Sequence, residues 1–437
     1  MSKRQISRRS FFRQVGAFSG VISVPIFVPK SVLGGQGRPG ANDRAGIGFI
    51  GVGRQGSALL GNLPPAGQVV AVADVYRPRA EAIAAKYRVK AFTDYRHLLD
   101  LPEVEGVVVA TPDHWRAIIC IRACQAEKDI YAEKPLTLTI REGRLLVQAV
   151  RKYNRVLQTG SQQRSDPRNR LGCELVRNGR IGKIHTVIAH NYPSPWHCAL
   201  PGEPVPDGLD WDMWCGPTPV VPYHRDIFTP RANPGWISFQ PWSGGEVTGW
   251  GSHGLDQIQW ALGTDETGPV EIWTEGPRFN PPTYYQPESR ARGDKLCSVP
   301  KVCYRYANGV VVRLENGPAG GAIFQGELGT ITIDRGKFVV DPPELAKEPL
   351  GEGAIRLYRS DNHLQNWLDC MRTRERPVAD VEIGHRTATI CHLVNIARVL
   401  GRPLRWDPEK EQFVDDPEAN ALLDRPRRPP YLLPESI

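Results

Sequence analysis

The sequence predicts an α/β chain in which a doubly wound parallel sheet is followed by an α+β domain with a large, mostly antiparallel sheet. Three observations carry that reading. A glycine-rich turn near residue 50 joins a short apolar run to a helix. Strand-like and helix-like segments then alternate from Ile47 to Gln162, as βαβ units do. From about residue 183 longer β-rich segments take over, and Asn308-Gly309 sits between two of them as a hairpin turn.

In chain order, Ile47 to Ile50 reads as a buried strand and Ser57 to Leu63 as the helix after it. Gly51, Gly53 and Gly56 lie between them in a GxGxxG pattern, and the next strand, "QVVAVADV", carries an acid, Asp74, near its end. That context is what a Rossmann dinucleotide site requires. Gly51 permits the tight turn, Gly53 lets the backbone approach a diphosphate, and Gly56 lets the helix pack on the strand. Asp74 would accept hydrogen bonds from the adenosine ribose and repel a 2'-phosphate, which favours NAD, while Arg77 and Arg79 leave room for NADP.

"GVVVAT", "DIYAEKP" and "RVLQTGSQ" continue the strands, with "HWRAIICIRACQA" and "IREGRLLVQAVRKYN" as helices between them. Ligands on such sheets bind at the carboxyl ends of the strands. By that rule Thr111, Pro112, Glu133, Lys134 and Gln162 converge on one crevice, joined by Arg54 and Gln55 of the glycine turn and by His114. "KIHTVIAHN", "PVEIWTEG", "VCYRYANGVVVRLENG" and "GTITIDRGKFVVD" supply the second sheet. The boundaries expected are 44–165 for the NAD(P)-binding domain and 166–404 for the substrate and oligomerisation domain. Helices within 361–400 are expected to pack back on the first domain, and 405–437 to form a proline-rich tail.

A chain of 437 residues, 41% hydrophobic and 23% charged, has the composition of a globular protein with room for two domains. Its net charge of +8 is concentrated at the start. Lys3, Arg4, Arg8, Arg9, Arg13 and Lys30 precede the first acid, Asp43, and without these six the 55 basic residues fall to 49 against 47 acidic. The body therefore lacks the electrostatic footprint of a nucleic-acid binder. "SRRSFFR" followed by the apolar run Val15 to Val28 resembles a twin-arginine export signal over residues 1–34, too short to span a membrane. A periplasmic protein is expected, anchored if the signal stays uncleaved. The nine cysteines include no CxxC pair, so no zinc site or complete disulfide framework is indicated, and no metal is expected.

Together "GFIGVGRQG", "VVVATPDHW", "AEKPLT", "GKI" at Gly182 and "PVADVEIGHRTATICHLVNIA" resemble the glucose-fructose oxidoreductase, inositol dehydrogenase and MocA family over roughly Arg44 to Leu404, and the leading arginines resemble its exported branch. The resemblance implies a nicotinamide cofactor and a small carbohydrate-like substrate in a dimer or tetramer. It places the family's EKP lysine at Lys134, beside the nicotinamide, and its substrate-facing histidine at His253, as the catalytic pair. Arg164 matches a family arginine on the substrate side, and Asp256 the family's helix acid. The pattern breaks at Gly249, where many members carry an aspartate four residues before the histidine. Either His253 acts with Lys134 alone, or an acid from elsewhere fills the gap, Glu246 and Asp256 being nearest in sequence.

Hydride transfer from a secondary alcohol needs a base for the hydroxyl proton, a role suited to an imidazole. Between Tyr192 and Gly245 lie Trp196, Trp211, Trp214, Trp236 and Trp242 together with His197, and aromatic faces beside polar groups suit a sugar ring. Trp196 and His197 are candidate substrate residues from this stretch. Three activities fit these features: an NAD(P)-dependent oxidoreductase acting on a sugar, sugar acid or cyclitol; an NAD-dependent glycosidase or lyase that oxidises a ring carbon transiently and recycles a tightly held cofactor; and a binding protein without turnover.

Overall fold

In the computed structural model, which describes residue 40 and residues 43–229, 235–285 and 299–437, both expected sheets are present. The export-signal segment 1–34 lies outside the described residues. The first sheet consists of β1 (Ala45–Ile50), β2 (Gly67–Ala73), β3 (Lys90–Phe92), β4 (Gly106–Val109), β5 (Asp129–Ala132) and β6 (Leu157–Thr159). Its order is β3-β2-β1-β4-β5-β6 and every pairing is parallel, which makes it a Rossmann sheet. β1, β4 and β5 are buried at every position, as strands covered by helices on both faces must be.

Eight helices of two turns or more are described: α1 (Arg54–Gly61), α2 (Arg77–Tyr87), α3 (Asp113–Gln125), α4 (Ile140–Lys152), α5 (Pro167–Arg177), α6 (Gly251–Leu262), α7 (His363–Thr373) and α8 (Val381–Leu400). Local chemistry sets their ends. Thr139 caps α4 through a 3.1 Å bond from Glu142 N–H, and Asp166 caps α5 just before Pro167. Gly263 and Gly401 close α6 and α8 in the left-handed conformation, at φ 74° and 64°.

The second sheet has nine strands: β7 (Ile184–His190), β9 (Glu271–Glu275), β11 (Lys301–Arg305), β12 (Val311–Glu315), β13 (Ala322–Gly326), β14 (Thr330–Asp334), β15 (Lys337–Asp341), β16 (Leu404–Asp407) and β17 (Gln412–Phe413). They run in the order β15-β14-β13-β7-β12-β11-β9-β16-β17, antiparallel except for β7 with β12. β12 and β14 bury alternate residues, so one face packs against α5, α6 and α8 while the other is only partly covered. The hairpin at Asn308-Gly309 forms as the sequence indicates. A small parallel pair, β8 (His197–Cys198) with β10 (Thr283–Tyr284), stands apart.

Residues Ala45–Ile437 form one compact unit rather than two separable halves. α7 sends Trp367, Leu368 and Met371 into the core that holds Phe49, Val108 and Tyr131. At Gly106 of β4 an added Cβ would lie 2.8 Å from Met371 Cε. The all-round buried α8 crosses α4 so tightly that a Cβ at Gly143 would lie 2.1 Å from His385 Nδ1. The 405–437 segment is no detached tail. Arg425 and Arg427 reach the fully buried Glu142, Arg427 at 3.0 Å, and Tyr431 packs edge-on to Trp115 at 4.9 Å. A buried carboxylate needs such partners. No periodicity in "RPRRPPYLLP" reveals them.

Candidate active site

A cleft of about 290 Å³ opens at the carboxyl ends of the parallel strands, close to the lower end of the size range of small-molecule sites, about 300–1,000 Å³. Its cofactor half is built by the glycine turn after β1. Gly51 has φ +80°, and a Cβ there would crowd Ala110 and Thr111 at 3.0 Å. A Cβ on Gly56 would lie 2.0 Å from the Gly51 carbonyl oxygen, so only hydrogen lets α1 sit this close to the turn. Beside Gly53 the nearest atom to an added Cβ is Arg79 Nη1 at 3.6 Å, which leaves open ground at the start of α1 where a phosphate can approach backbone amides.

Asp74 follows β2. Its carboxylate accepts from Val52 N–H and Tyr76 N–H, each at 3.0 Å, and pairs with Arg79 at 3.3 Å. It therefore braces the turn from behind as well as lining the cleft. Arg54, Gln55, Thr111, Pro112, Glu133, Lys134 and Gln162 line the same cleft. Gln55 Nε2 donates to Glu133 Oε1 at 2.8 Å, and Thr111 Oγ1 is buried without a protein partner among the described residues. A positive-φ turn, an open helix start, an acid after β2 and a waiting hydroxyl fit a dinucleotide.

Where the strands stop explains what reaches the cleft. β5 ends at Ala132 and β4 at Val109, so Glu133-Lys134 and Thr111-Pro112 lie in the loops beyond, not on the strands. Buried Arg116 ties those loops together, donating to Thr111 O at 2.7 Å and to Pro135 O while pairing with Asp113. Burial pushes the Asp113 carboxyl up, against the lowering effect of Arg116 and a 2.9 Å bond from Ser243 Oγ.

The reaction half joins α6 to the EKP loop. Lys134 Nζ donates to the Gly249 carbonyl at 3.0 Å, and Ser252 Oγ donates to the same oxygen at 2.9 Å. His253, buried on the first turn of α6, faces the cleft with its ring 5.6 Å from that of Trp250. Lys134 and His253 thus border one space. The position of the missing aspartate is filled: a Cβ on Gly249 would lie 2.8 Å from Glu246 Oε2 and 2.9 Å from Ile237 Cδ1. Glu246 Oε2 in turn accepts from Trp250 N–H at 3.3 Å.

Five expected site residues lie elsewhere. His114 is buried behind the cleft wall with Nε2 2.8 Å from Trp214 O. Burial pushes its pKa down to about 3, and the residues of its turn that line the cleft are Asp113, Trp115 and Arg116. Arg164 and Asp256 form a buried ion pair at 2.9 Å, extended by Asp265 at 2.7 Å and Thr387 at 3.1 Å. Burial opposes the Arg164 charge, but the two carboxylates outweigh it and hold its proton more firmly than water does. With its carboxylate committed to that pair and absent from the cleft lining, Asp256 is not positioned as a base. Trp196 is buried in an aromatic cluster 6.1 Å from Tyr284, and exposed His197 lies on β8. The indoles that do reach the cleft are Trp115, Trp214, Trp236 and Trp250, joined by Phe228, Ile237 and Arg335. Asp113 and Arg116 were within reach of the sequence, since the helix start after "TP" faces the strand ends. Nothing in the sequence marks Arg335, which arrives from the other sheet.

The fold and this cleft define a dinucleotide-binding class of protein. The chain matches "Oxidoreductase family, NAD-binding Rossmann fold" over residues 45–161 and "Oxidoreductase family, C-terminal alpha/beta domain" over residues 182–433. It belongs to the glucose-fructose oxidoreductase, inositol dehydrogenase and MocA family. A myo-inositol 2-dehydrogenase of Thermotoga maritima is 31% identical over 153 residues, 34% of this chain and 46% of that protein. The match thus spans less than half the relative's length. Two solved structures share the fold at 16% identity: aldose-aldose oxidoreductase of Caulobacter crescentus, complexed with glycerol (TM-score 0.56, 83% of this chain, 99% of that one), and the WlbA dehydrogenase of Bordetella pertussis, in complex with NADH and UDP-GlcNAcA (TM-score 0.57, with the same two coverages).

Proposed function

We propose that this protein oxidises a secondary alcohol of a sugar, sugar acid or cyclitol. NAD, when bound, supplies the hydride acceptor. The observation that carries the reading is the meeting of Lys134 and His253 in the cleft beside the glycine turn. His253 takes the hydroxyl proton as the C–H hydride departs. Lys134, held on the Gly249 carbonyl, places a positive charge beside the developing alkoxide. Trp236 and Trp250 offer flat apolar faces to the C–H side of a ring, and Ile237 adds an aliphatic wall beside them. The relatives named for inositol and aldose oxidation support this substrate class.

Export by the twin-arginine route is part of the same proposal, because the paired arginines and the apolar run at the start of the chain suit that pathway and it carries proteins already folded with cofactor. Among the described residues no helix is long and apolar enough to cross a membrane. A homo-oligomer formed through the partly covered face of the nine-stranded sheet is also part of the proposal, because strands such as β12 and β14 leave alternate residues of that face only half-buried. The test is absorbance at 340 nm with NAD and a panel of inositols, aldoses and uronates. Net NADH with at least one of them supports the proposal, and bound NAD without any net reduction contradicts it.

A further inference from the structure

Most charges in the cleft are answered by neighbours. Asp74 faces Arg79, and Asp113 faces Arg116. Arg54 stands in the glycine turn, where a diphosphate needs a cation. One cation is left unexplained. Arg335, an exposed residue of the opposite layer, lines the cleft and forms no ion pair among the described residues.

Its presentation is built into the fold. Asp334 and Lys337 pair across β14 and β15, so Arg335-Gly336 is a two-residue turn, with Gly336 at φ +69°. Gly336 N–H donates to Asn169 Oδ1 at 2.8 Å, and Asp334 Oδ1 accepts from Gly320 N–H at 2.9 Å and Arg335 N–H at 2.8 Å. From this pinned turn the guanidinium lies 5.7 Å from the centroid of the Trp250 ring, within cation–π range. The other side of the reaction centre, the His253 ring, is 5.6 Å from the same indole.

We infer that Arg335 and Trp250 form a subsite for an anionic group on the substrate, and that the substrate is a sugar or polyol bearing a carboxylate. The inference rests on the proposed oxidation and narrows its substrate. A planar guanidinium resting on an aromatic face keeps its N–H edge for a carboxylate, which it matches with two parallel bonds. A single cation suits a monoanion better than a dianionic phosphate. A ring lying along Trp250 would present its carbinol to His253 and its carboxylate to Arg335.

The test is calorimetric titration of NADH-saturated protein with glucuronate, glucose and glucose 6-phosphate, for the wild type, Arg335→Gln and Arg335→Lys. The wild type should bind glucuronate at least about tenfold more tightly than glucose, the size of effect a charge-assisted bond gives. Arg335→Gln should abolish that preference and leave glucose binding within about twofold, while Arg335→Lys retains part of it. Equal binding of glucuronate and glucose, no binding of either, stronger binding of the phosphate, or an unchanged preference in Arg335→Gln overturns the subsite. Preference for glucuronate without NADH production would leave the subsite standing and sink the oxidation. Turnover of neutral and acidic sugars alike would do the reverse.

Discussion

The Lys134 ammonium donates a 3.0 Å hydrogen bond to the Gly249 carbonyl, one turn before His253. The bond ties the EKP loop of one sheet to the turn that leads into the helix carrying the imidazole. Removing the amine should therefore damage both charge stabilisation and the alignment of the base. Lys134→Ala and His253→Ala are each expected to lower kcat by about 10²–10⁴-fold, read as the initial rate of NADH formation. A loss below tenfold in either would contradict its assigned role.

At Gly249 the expected outcome runs against simple restoration of a family residue. Gly249→Asp should destabilise the fold by about 1–3 kcal/mol, because its side chain would enter space held by Glu246 Oε2 and Ile237 Cδ1. Adding Glu246→Ala should recover much of that loss, since sites in contact are energetically coupled. Urea midpoints of both single variants and the double variant measure this. Strict additivity would show that Glu246 does not fill the place.

The Arg164–Asp256 pair makes a different prediction. Arg164→Met leaves two carboxylates without their shared partner, which should cost about 3–5 kcal/mol of stability. In protein that still folds, substrate KM should be nearly unchanged, because neither side chain lines the cleft. A large rise in KM with no loss in urea midpoint would return Arg164 to the substrate.

Acid should weaken the fold through buried histidines. His114 is pushed down to about 3, and His363 and His392 to about 4, all by burial. Their folded values lie below the unfolded value near 6.5, so the unfolded chain binds protons first as pH falls. The stability they contribute is complete above about pH 6.5 and declines towards pH 4, by about 1.4 kcal/mol per pH unit for each residue. Urea midpoints between pH 7 and pH 4.5 should fall accordingly, and His363→Gln should flatten the slope. A midpoint independent of pH over that interval would refute it.

The parallel sheet was legible because its strands are continuous apolar runs and its glycines sit where geometry permits nothing else, as at Gly51 and Gly56. Lys134 and Gln162 followed from the rule that strand ends make the site. The rest was set by contacts distant in sequence. His114 and Asp113 are adjacent, yet one is buried against Trp214 and the other lines the cleft, a difference of helix rotation that residue type does not encode. Arg164 and Asp256 were expected at the site because they match family positions there, and they are each other's partners across 92 positions. Trp250 and Arg335 meet only because the β14–β15 turn comes over α6.

The most direct measurement follows the hydride itself. The protein is incubated with NAD and inositol, glucose or glucuronate deuterated at the carbinol carbons, and the nicotinamide ring is then examined by mass spectrometry and NMR. Deuterium should appear at C4 of the reduced ring with at least one of these, and be nearly absent with His253→Ala and Lys134→Ala. Unlabelled cofactor throughout, or equal labelling in the wild type and both variants, would contradict the assignment of this cleft.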